Sequence, residues 1–132
     1  MPSMANITVK KNDGTTDVTY VGVQPSAGDK SPAVWQNQSV GSAVAHRPEF
    51  RTVAQDNGTN TARRVNMSYM YPSLVTGSDG RISVADKVTF NGSFSLPKAM
   101  PQVDTNEAAV QLANLIASAL VKEMLKSGYS AS

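Results

Sequence analysis

Two stretches of the sequence alternate apolar side chains with side chains that can bind a polyanion. In Ala62–Tyr71 and Ser83–Leu96 the apolar residues recur at every second position, the period of a strand with one apolar and one polar face. Arginine and lysine neutralise phosphates, whereas asparagine, serine and threonine hydrogen-bond the base edges of single-stranded RNA. The candidate polar stripe consists of Arg64, Asn66 and Ser68 on the first stretch and Lys87, Thr89 and Asn91 on the second.

The same stripe has a plainer interpretation, which the pattern alone favours. Antiparallel sheets commonly present a face of Thr, Ser, Asn and Lys to water. The net charge of +2 adds little to the argument. Seven basic residues stand against four acidic ones between Arg47 and Lys98, a bias that fits a polyanion partner and a solvated face equally well.

Catalytic and metal-binding chemistry has few candidate residues. His46 is the only histidine and lies in a predicted turn, and the chain has no cysteine that could join it in a metal site or act as a nucleophile. The sequence contains neither a glycine-rich phosphate loop nor a serine nucleophile motif. It therefore argues against an enzyme and predicts no metal site and no cofactor.

Length and composition predict one folded domain over residues 1–132. The chain is 40% hydrophobic and 17% charged, which is typical of a folded protein rather than a disordered one. No apolar run approaches the roughly 20 residues that span a bilayer. The N-terminal residues lack the apolar segment of a signal peptide. No membrane partner is expected.

The elements that would position the polar stripe are strands. A turn at Asp13-Gly14 predicts an N-terminal hairpin over residues 5–23, and a main sheet follows over 33–96. Pro72–Arg81 is predicted to be a long loop between the last two strands. Alternation does not decide which face of the fourth strand points inward. The predicted strands are Ala5–Lys11, Asp17–Val23, Ala33–Val40, Arg47–Gln55, Ala62–Tyr71 and Ser83–Leu96.

One strong helical pattern follows the strands, over about Thr105–Leu125 in a helical segment at 104–126. Asp104 is the predicted N-cap, with Glu107 completing a capping box, and Gly128 is the predicted left-handed C-cap. Ser118 marks a predicted bend or a break into two helices. The fold class is therefore α+β, with an N-terminal hairpin and an antiparallel sheet followed by one or two C-terminal helices.

The widths of the sheet and of the helix predict a homodimer. Six strands at about 4.8 Å spacing make a sheet roughly 25–30 Å wide, whereas one helix covers about 10 Å. Because one chain cannot cover its own sheet, two chains are expected to pair, with the helix of each packing over the sheet of the other. The helix residues assigned to this interface are Leu112, Leu115, Ile116 and Leu120.

Several segments resemble the coat proteins of single-stranded RNA bacteriophages, the levivirus group. One is similar to the family's strand of alternating valine and lysine or glutamine that ends in proline. Another is similar to the strand before its helices, and a third to its helical tail. Trp35 stands where some members carry a tryptophan early in the sheet. The segments are, in this order, Ala62–Pro72, Ala85–Ser95, and Leu115–Leu120 closing on Ser127–Tyr129.

The resemblance implies a structural coat protein that dimerises, self-assembles into an icosahedral shell and binds a hairpin of viral single-stranded RNA on the inner face of its sheet. It implies a location in the virion, after assembly in the cytoplasm of a bacterial host. The RNA-facing residues would be those of the polar stripe, although Ser68 departs from the family, which often has a basic residue there. The loop at Pro72–Arg81, with Ser73, Gly77 and Gly80, would contact other dimers.

The alternative to a coat protein is a non-viral dimer that binds single-stranded nucleic acid with a similar sheet. Such a protein would share the polar stripe but would form no shell. Particles that sediment far above a dimer would therefore separate the two interpretations.

Overall fold

The computed structural model describes residues 2–132 and contains six strands in one sheet, in which the strand order follows the chain order. Two short 3₁₀ helices, Gln38–Val40 and Val44–His46, connect the third and fourth strands. Two helices follow the sheet, so the predicted α+β class is confirmed. The elements are β1 (Ile7–Lys10), β2 (Asp17–Gln24), β3 (Ala33–Gln36), β4 (Glu49–Asp56), β5 (Ala62–Thr76), β6 (Ile82–Pro97), α1 (Gln102–Ile116) and α2 (Ala119–Ser127).

The chain divides into two compact units. The first ends at Ser95 and contains the sheet, and the second, Leu96–Ser132, contains the helices. The single domain expected over residues 1–132 stays a prediction.

The β1–β2 hairpin closes through the side chain of Asp13. Its carboxylate accepts hydrogen bonds from the hydroxyl of Thr16 (2.6 Å) and from the backbone amides of Thr16 (2.9 Å) and Thr15 (3.0 Å). The hydroxyl first, and then the amides, lower the pKa of Asp13 to about 2 because they favour the charged carboxylate. The predicted N-terminal hairpin is therefore present, with β1 paired antiparallel to β2.

β3 is shorter than predicted. It ends at Gln36 instead of Val40, because Asn37 accepts hydrogen bonds from the amide (3.1 Å) and hydroxyl (2.6 Å) of Ser39 and turns the chain into a 3₁₀ helix. The fourth strand begins at Glu49 rather than at Arg47. Arg47 instead holds the connection, since its Nε donates to the carbonyl of Gly41 at 2.8 Å.

The long loop predicted at Pro72–Arg81 is wrong. β5 continues through Pro72 to Thr76, and only a tight turn remains before β6, closed by the amide of Gly77 donating to the carbonyl of Arg81 at 2.7 Å. Proline normally ends a central strand because it has no amide to donate. The pairing of β5 with β4 ends at Met70, so Pro72 removes no hydrogen bond from that ladder.

The helical segment contains two helices with a break at Ser118. Of the two predicted alternatives, a bend or a break, the break is therefore confirmed. The backbone of Ser118 is extended (ψ 153°), and its hydroxyl donates to the carbonyl of Leu115 at 2.6 Å. Gly128 is in the left-handed region (φ 80°) and its amide donates to the carbonyl of Met124, so the predicted C-cap is confirmed.

The predicted N-cap at Asp104 is wrong. α1 begins at Gln102, directly after Pro101, whose carbonyl accepts hydrogen bonds from the amides of Asp104 (3.0 Å) and Thr105 (3.2 Å). Proline has a fixed φ that suits the start of a helix. Asp104 lies in the first turn, where its negative charge interacts favourably with the helix dipole.

An ion pair links the β2–β3 connection to the β4–β5 hairpin. Arg63 Nη1 and Nη2 lie 2.8 Å from the two carboxylate oxygens of Asp29, and Nη1 lies 3.1 Å from Asp56 Oδ1. The planar guanidinium therefore binds Asp29 through two parallel hydrogen bonds, the strongest geometry for such a pair. The side chains of Arg63 and Asp29 are partly exposed, so solvent weakens the interaction.

Arg63→Ala is expected to lower the free energy of unfolding slightly, because solvent screens an exposed ion pair and leaves it a small contribution. The measurement is urea denaturation at matched protein concentration. Arg64→Ala is the control, since Arg64 has no ion pair with any residue that the structure describes. Equal stability of the two variants would contradict a stabilising role for the Arg63–Asp29 pair.

Candidate nucleic-acid interface

The pairing of β4 with β5 decides which side chains share a face of the sheet. Residues that lie directly opposite each other in an antiparallel pair project to the same side. One side of these two strands carries mostly polar groups, and together with the residues of β6 that project to the same side we call it the polar face. Its β4–β5 pairs are Glu49–Met70, Arg51–Ser68, Val53–Asn66 and Gln55–Arg64.

β6 extends the polar face through Thr89, Asn91 and Ser93. Two adjoining open clefts lie on this side of the sheet. The first, of about 500 Å³, has the side chains of Arg51, Val53, Asn66, Ser68, Asn91 and Ser93 in its lining. The second, of about 380 Å³, has those of Glu49, Arg51, Ser68, Met70, Thr89 and Asn91. The structure thus brings together four residues of the predicted polar stripe, namely Asn66, Ser68, Thr89 and Asn91.

The two remaining stripe residues, Arg64 and Lys87, lie at opposite ends of the polar face. Asn91 shares a cleft with Ser68, and the numbering of β5 and β6 runs in opposite directions from there. Arg64 lies four residues before Ser68 on β5, and Lys87 lies four residues before Asn91 on β6. Because the strands are antiparallel, each cation is about 13 Å from the Ser68–Asn91 position, in opposite directions. The sequence predicts that these two cations lie in one contiguous stripe on adjacent strands, whereas in the structure they are roughly 26 Å apart.

The sequence interpretation missed the contribution of β4. Arg51 opposes Ser68 and projects into both clefts, and Glu49 lies beside it. The alternation in β4 is ambiguous because Glu49, Arg51 and Val53 mix charge with an apolar residue. Only the pairing with β5, whose faces are unambiguous, assigns Arg51 and Glu49 to the polar side.

Four side chains form a chain of contacts along the polar face. Arg47 Nη1 donates to Gln36 Oε1 (3.4 Å), and Gln36 Nε2 donates to Glu49 Oε1 (3.2 Å). Glu49 Oε2 lies 3.7 Å from an Arg51 nitrogen. Because Gln36 is buried, its amide has a fixed position beside Glu49. This arrangement holds the carboxylate of Glu49 at the edge of the second cleft.

The opposite side of the sheet is apolar and aromatic, and we call it the apolar face. The rings of Trp35 and Phe50 lie 5.7 Å apart, and those of Tyr20 and Tyr69 lie 6.2 Å apart with their hydroxyls hydrogen-bonded at 2.8 Å. Burial raises the pKa of both tyrosines, so the pair stays neutral in the physiological range. A hollow of about 320 Å³ on this side is lined by Ile7, Val9, Tyr20, Phe50 and Tyr69.

The four helix residues assigned to a dimer interface are exposed in the single chain. Their exposed fractions are 38% for Leu112, 60% for Leu115, 43% for Ile116 and 61% for Leu120. Among the described residues, the buried apolar residues are Ala33, Val34 and the two prolines Pro48 and Pro72. The chain exposes 9426 Å², whereas a folded monomer of 14.0 kDa is expected to expose roughly 6,700 Å².

The residues predicted to contact other dimers do not lie in one loop. Ser73 is an exposed residue of β5, and Gly77 and Gly80 belong to the tight turn before β6. Gly80 has a positive φ of 81°, which glycine adopts without steric cost. The structure thus presents the end of a long hairpin where the sequence predicts a long loop.

Neither a metal cluster nor a single membrane-spanning helix occurs within residues 2–132. No group of three His, Cys, Asp or Glu side chains in this part of the chain could hold a metal ion. Neither helix alone is long and apolar enough to cross a membrane, although α1 and α2 together, bent by 55°, have the length and composition of a broken span.

The comparisons with known proteins rest on structure rather than on sequence. No protein-family model matches the sequence, and a search of curated proteins finds no match. The virus-like particle of bacteriophage NT-214 matches with a TM-score of 0.80 and 19% identity, over 99% of this chain and 100% of that chain. The virus-like particle of Beihai levi-like virus 21 matches with a TM-score of 0.81 and 14% identity, over 99% of both chains.

The capsid protein of bacteriophage GA is a third similar structure, with a TM-score of 0.76 and 19% identity over 95% of both chains. All three matches include the strands and both helices, since each covers nearly the whole chain. At these identities the likeness establishes the fold. The chain therefore has the fold of the coat proteins of single-stranded RNA bacteriophages.

Proposed function

We propose that this chain is the structural subunit of a viral capsid, a coat protein of the single-stranded RNA bacteriophage type. The observation that carries the proposal is the match over 99% of the chain to the subunit of a bacteriophage virus-like particle. The subunit forms a homodimer, assembles into an icosahedral shell, and binds single-stranded viral RNA on the polar face. Its location is the virion, after assembly in the bacterial cytoplasm.

The exposed apolar surface supports the homodimer. The chain exposes roughly 2,700 Å² more than a monomer of its mass is expected to expose. For two chains the excess is roughly 5,400 Å², at the upper end of the total area that obligate dimers bury. The apolar face has a hollow with an almost entirely apolar lining, and α1 and α2 carry exposed leucine and isoleucine side chains. Burying both surfaces against a second copy would remove this excess from water.

The arrangement of the polar face supports binding to single-stranded RNA. Its centre consists mainly of amide and hydroxyl side chains around the Arg51–Glu49 ion pair, and Arg64 and Lys87 lie at its two ends. Amides and hydroxyls can hydrogen-bond unpaired bases, whereas arginine and lysine contact phosphates. The face therefore suits a strand whose bases point to the centre and whose backbone reaches Arg64 and Lys87.

The test of the proposed function is expression of the chain followed by sedimentation and electron microscopy. Closed particles that contain RNA are the expected result. Dimers that bind RNA but never form particles would contradict the capsid and would favour the alternative, a non-viral dimer that binds single-stranded nucleic acid.

Deleting Val75–Ser78 is expected to leave the dimer intact and to abolish regular shells. The deletion removes the end of β5 and half of the tight turn, whose residues are exposed in the chain. Size-exclusion chromatography measures the dimer, and electron microscopy measures the particles. Shells of normal size and heat resistance would contradict a contact between dimers at this hairpin end.

A further inference from the structure

Glu49 is the one acidic residue among the β4, β5 and β6 residues of the polar face, and it lies where RNA is proposed to bind. Its side chain is 25% exposed and stands at the second cleft, near Ser68, Thr89 and Asn91. An acid in this position requires an explanation, because every phosphate that approaches it is repelled.

The contacts of Glu49 leave part of its carboxylate available to a ligand. Oε1 accepts one hydrogen bond from the buried Gln36, and Oε2 lies beside Arg51. An ionised carboxylate has about four acceptor positions and no donor. The carboxylate is therefore held in place with acceptor positions left over, and it can bind only a group that donates.

The groups of RNA that donate hydrogen bonds are on the bases and the sugar, not on the phosphates. On the Watson–Crick edge, cytosine carries an amino group at the position where uracil carries a carbonyl oxygen. A fixed carboxylate attracts the amino group and repels the carbonyl oxygen. Uracil offers the carboxylate only its N3–H, which lies between two carbonyl oxygens that the carboxylate repels. The site therefore distinguishes bases that have an exocyclic amino group from uracil.

We propose that Glu49 accepts a hydrogen bond from the exocyclic amino group of an unpaired base in the second cleft, so that the polar face binds cytosine in preference to uracil. The inference rests on the proposed RNA binding by this face. Glu49 acts here as a specificity residue, and Gln36 and Arg47 act as positioning residues that hold its carboxylate.

The experiment compares the binding of oligocytidylate and oligouridylate of equal length to the full chain by filter binding at two salt concentrations. The two probes carry the same number of phosphates, so the phosphate contribution cancels in their affinity ratio. The wild-type chain is expected to bind oligocytidylate about tenfold more tightly, the effect of one hydrogen bond to a charged group.

Glu49→Gln is the test variant, because its amide oxygen can still accept from Gln36 while the charge is lost. We expect the affinity ratio to fall to about one, mainly because oligouridylate binds more tightly once the repulsion is removed. Glu107→Gln on α1 removes the same charge from an exposed acid and should leave the ratio unchanged.

The outcomes separate this inference from the proposed function. If both probes bind the wild-type chain equally, or if Glu49→Gln keeps the wild-type ratio, Glu49 does not recognise the amino group, while RNA binding stands. If neither probe binds at low salt, the proposed RNA binding fails and this inference fails with it.

Discussion

Leu115→Asp is expected to leave no folded protein in solution at micromolar concentration. Leu115 is 60% exposed in the single chain, so a chain that is stable alone would tolerate a charge there. If the side chain is buried against a second copy, the unpaired carboxylate costs several kcal/mol, most of the stability of a domain this size. Light scattering and circular dichroism would detect aggregated or unfolded chains.

Asn114→Asp is the matched control for this experiment. It introduces the same charge one residue away, on the side of α1 that carries Glu107 and Gln111. This variant should form a dimer of normal stability. A well-folded monomer from Leu115→Asp would contradict the obligate dimer, and equal damage from both variants would point to a general sensitivity of α1 to charge.

Asn91→Ala is expected to weaken binding of a preferred RNA hairpin by about 1–3 kcal/mol, an order of magnitude taken from base recognition in DNA. Asn91 lies in both clefts of the polar face, where its amide can pair with a base edge. The substitution should have little effect on unrelated RNA. The probes are a hairpin selected from a pool with a randomised loop and the same hairpin with its loop scrambled.

Lys87→Ala is expected to act differently on the same two probes. A residue that contacts a phosphate contributes equally to every sequence, so affinity should fall for both hairpins and the salt slope should decrease by about one. Val88→Ala, on the opposite side of β6, is the control. If only Val88→Ala changed RNA binding, without unfolding the dimer, the assignment of RNA binding to the polar face would be contradicted.

The strands that carry the polar stripe could be predicted because their side chains alternate strictly. Asn66 and Ser68 share one face of β5, and Thr89 and Asn91 share one face of β6, because each pair is two residues apart. The apolar residues that alternate with them predict that both polar faces lie on the same side of the sheet. The break at Ser118 and the cap at Gly128 were also predictable, since each depends on local chemistry of the chain. The two-helix, six-strand architecture follows from such local signals.

The remaining features depend on contacts between segments distant in the sequence. Pro72 predicts the end of a strand, yet β5 passes through it because β4 no longer pairs there. Arg51 and Glu49 join the polar face only through the register with Ser68 and Met70. The separation of Arg64 from Lys87 likewise follows from the alignment of β6 with β5, which no local pattern contains.

The separation of Arg64 and Lys87 sets a minimum length for a stacked RNA strand that engages both. The two cations stand roughly 26 Å apart along the sheet, and a stacked strand advances about 3.4 Å per nucleotide. A footprint of about seven or eight stacked nucleotides is needed to span them. A shorter stacked strand could reach only one cation at a time, so the affinity for stacked oligonucleotides should rise stepwise with length rather than smoothly. The spacing of the two cations would therefore favour RNA loops of a particular length, independently of their base sequence.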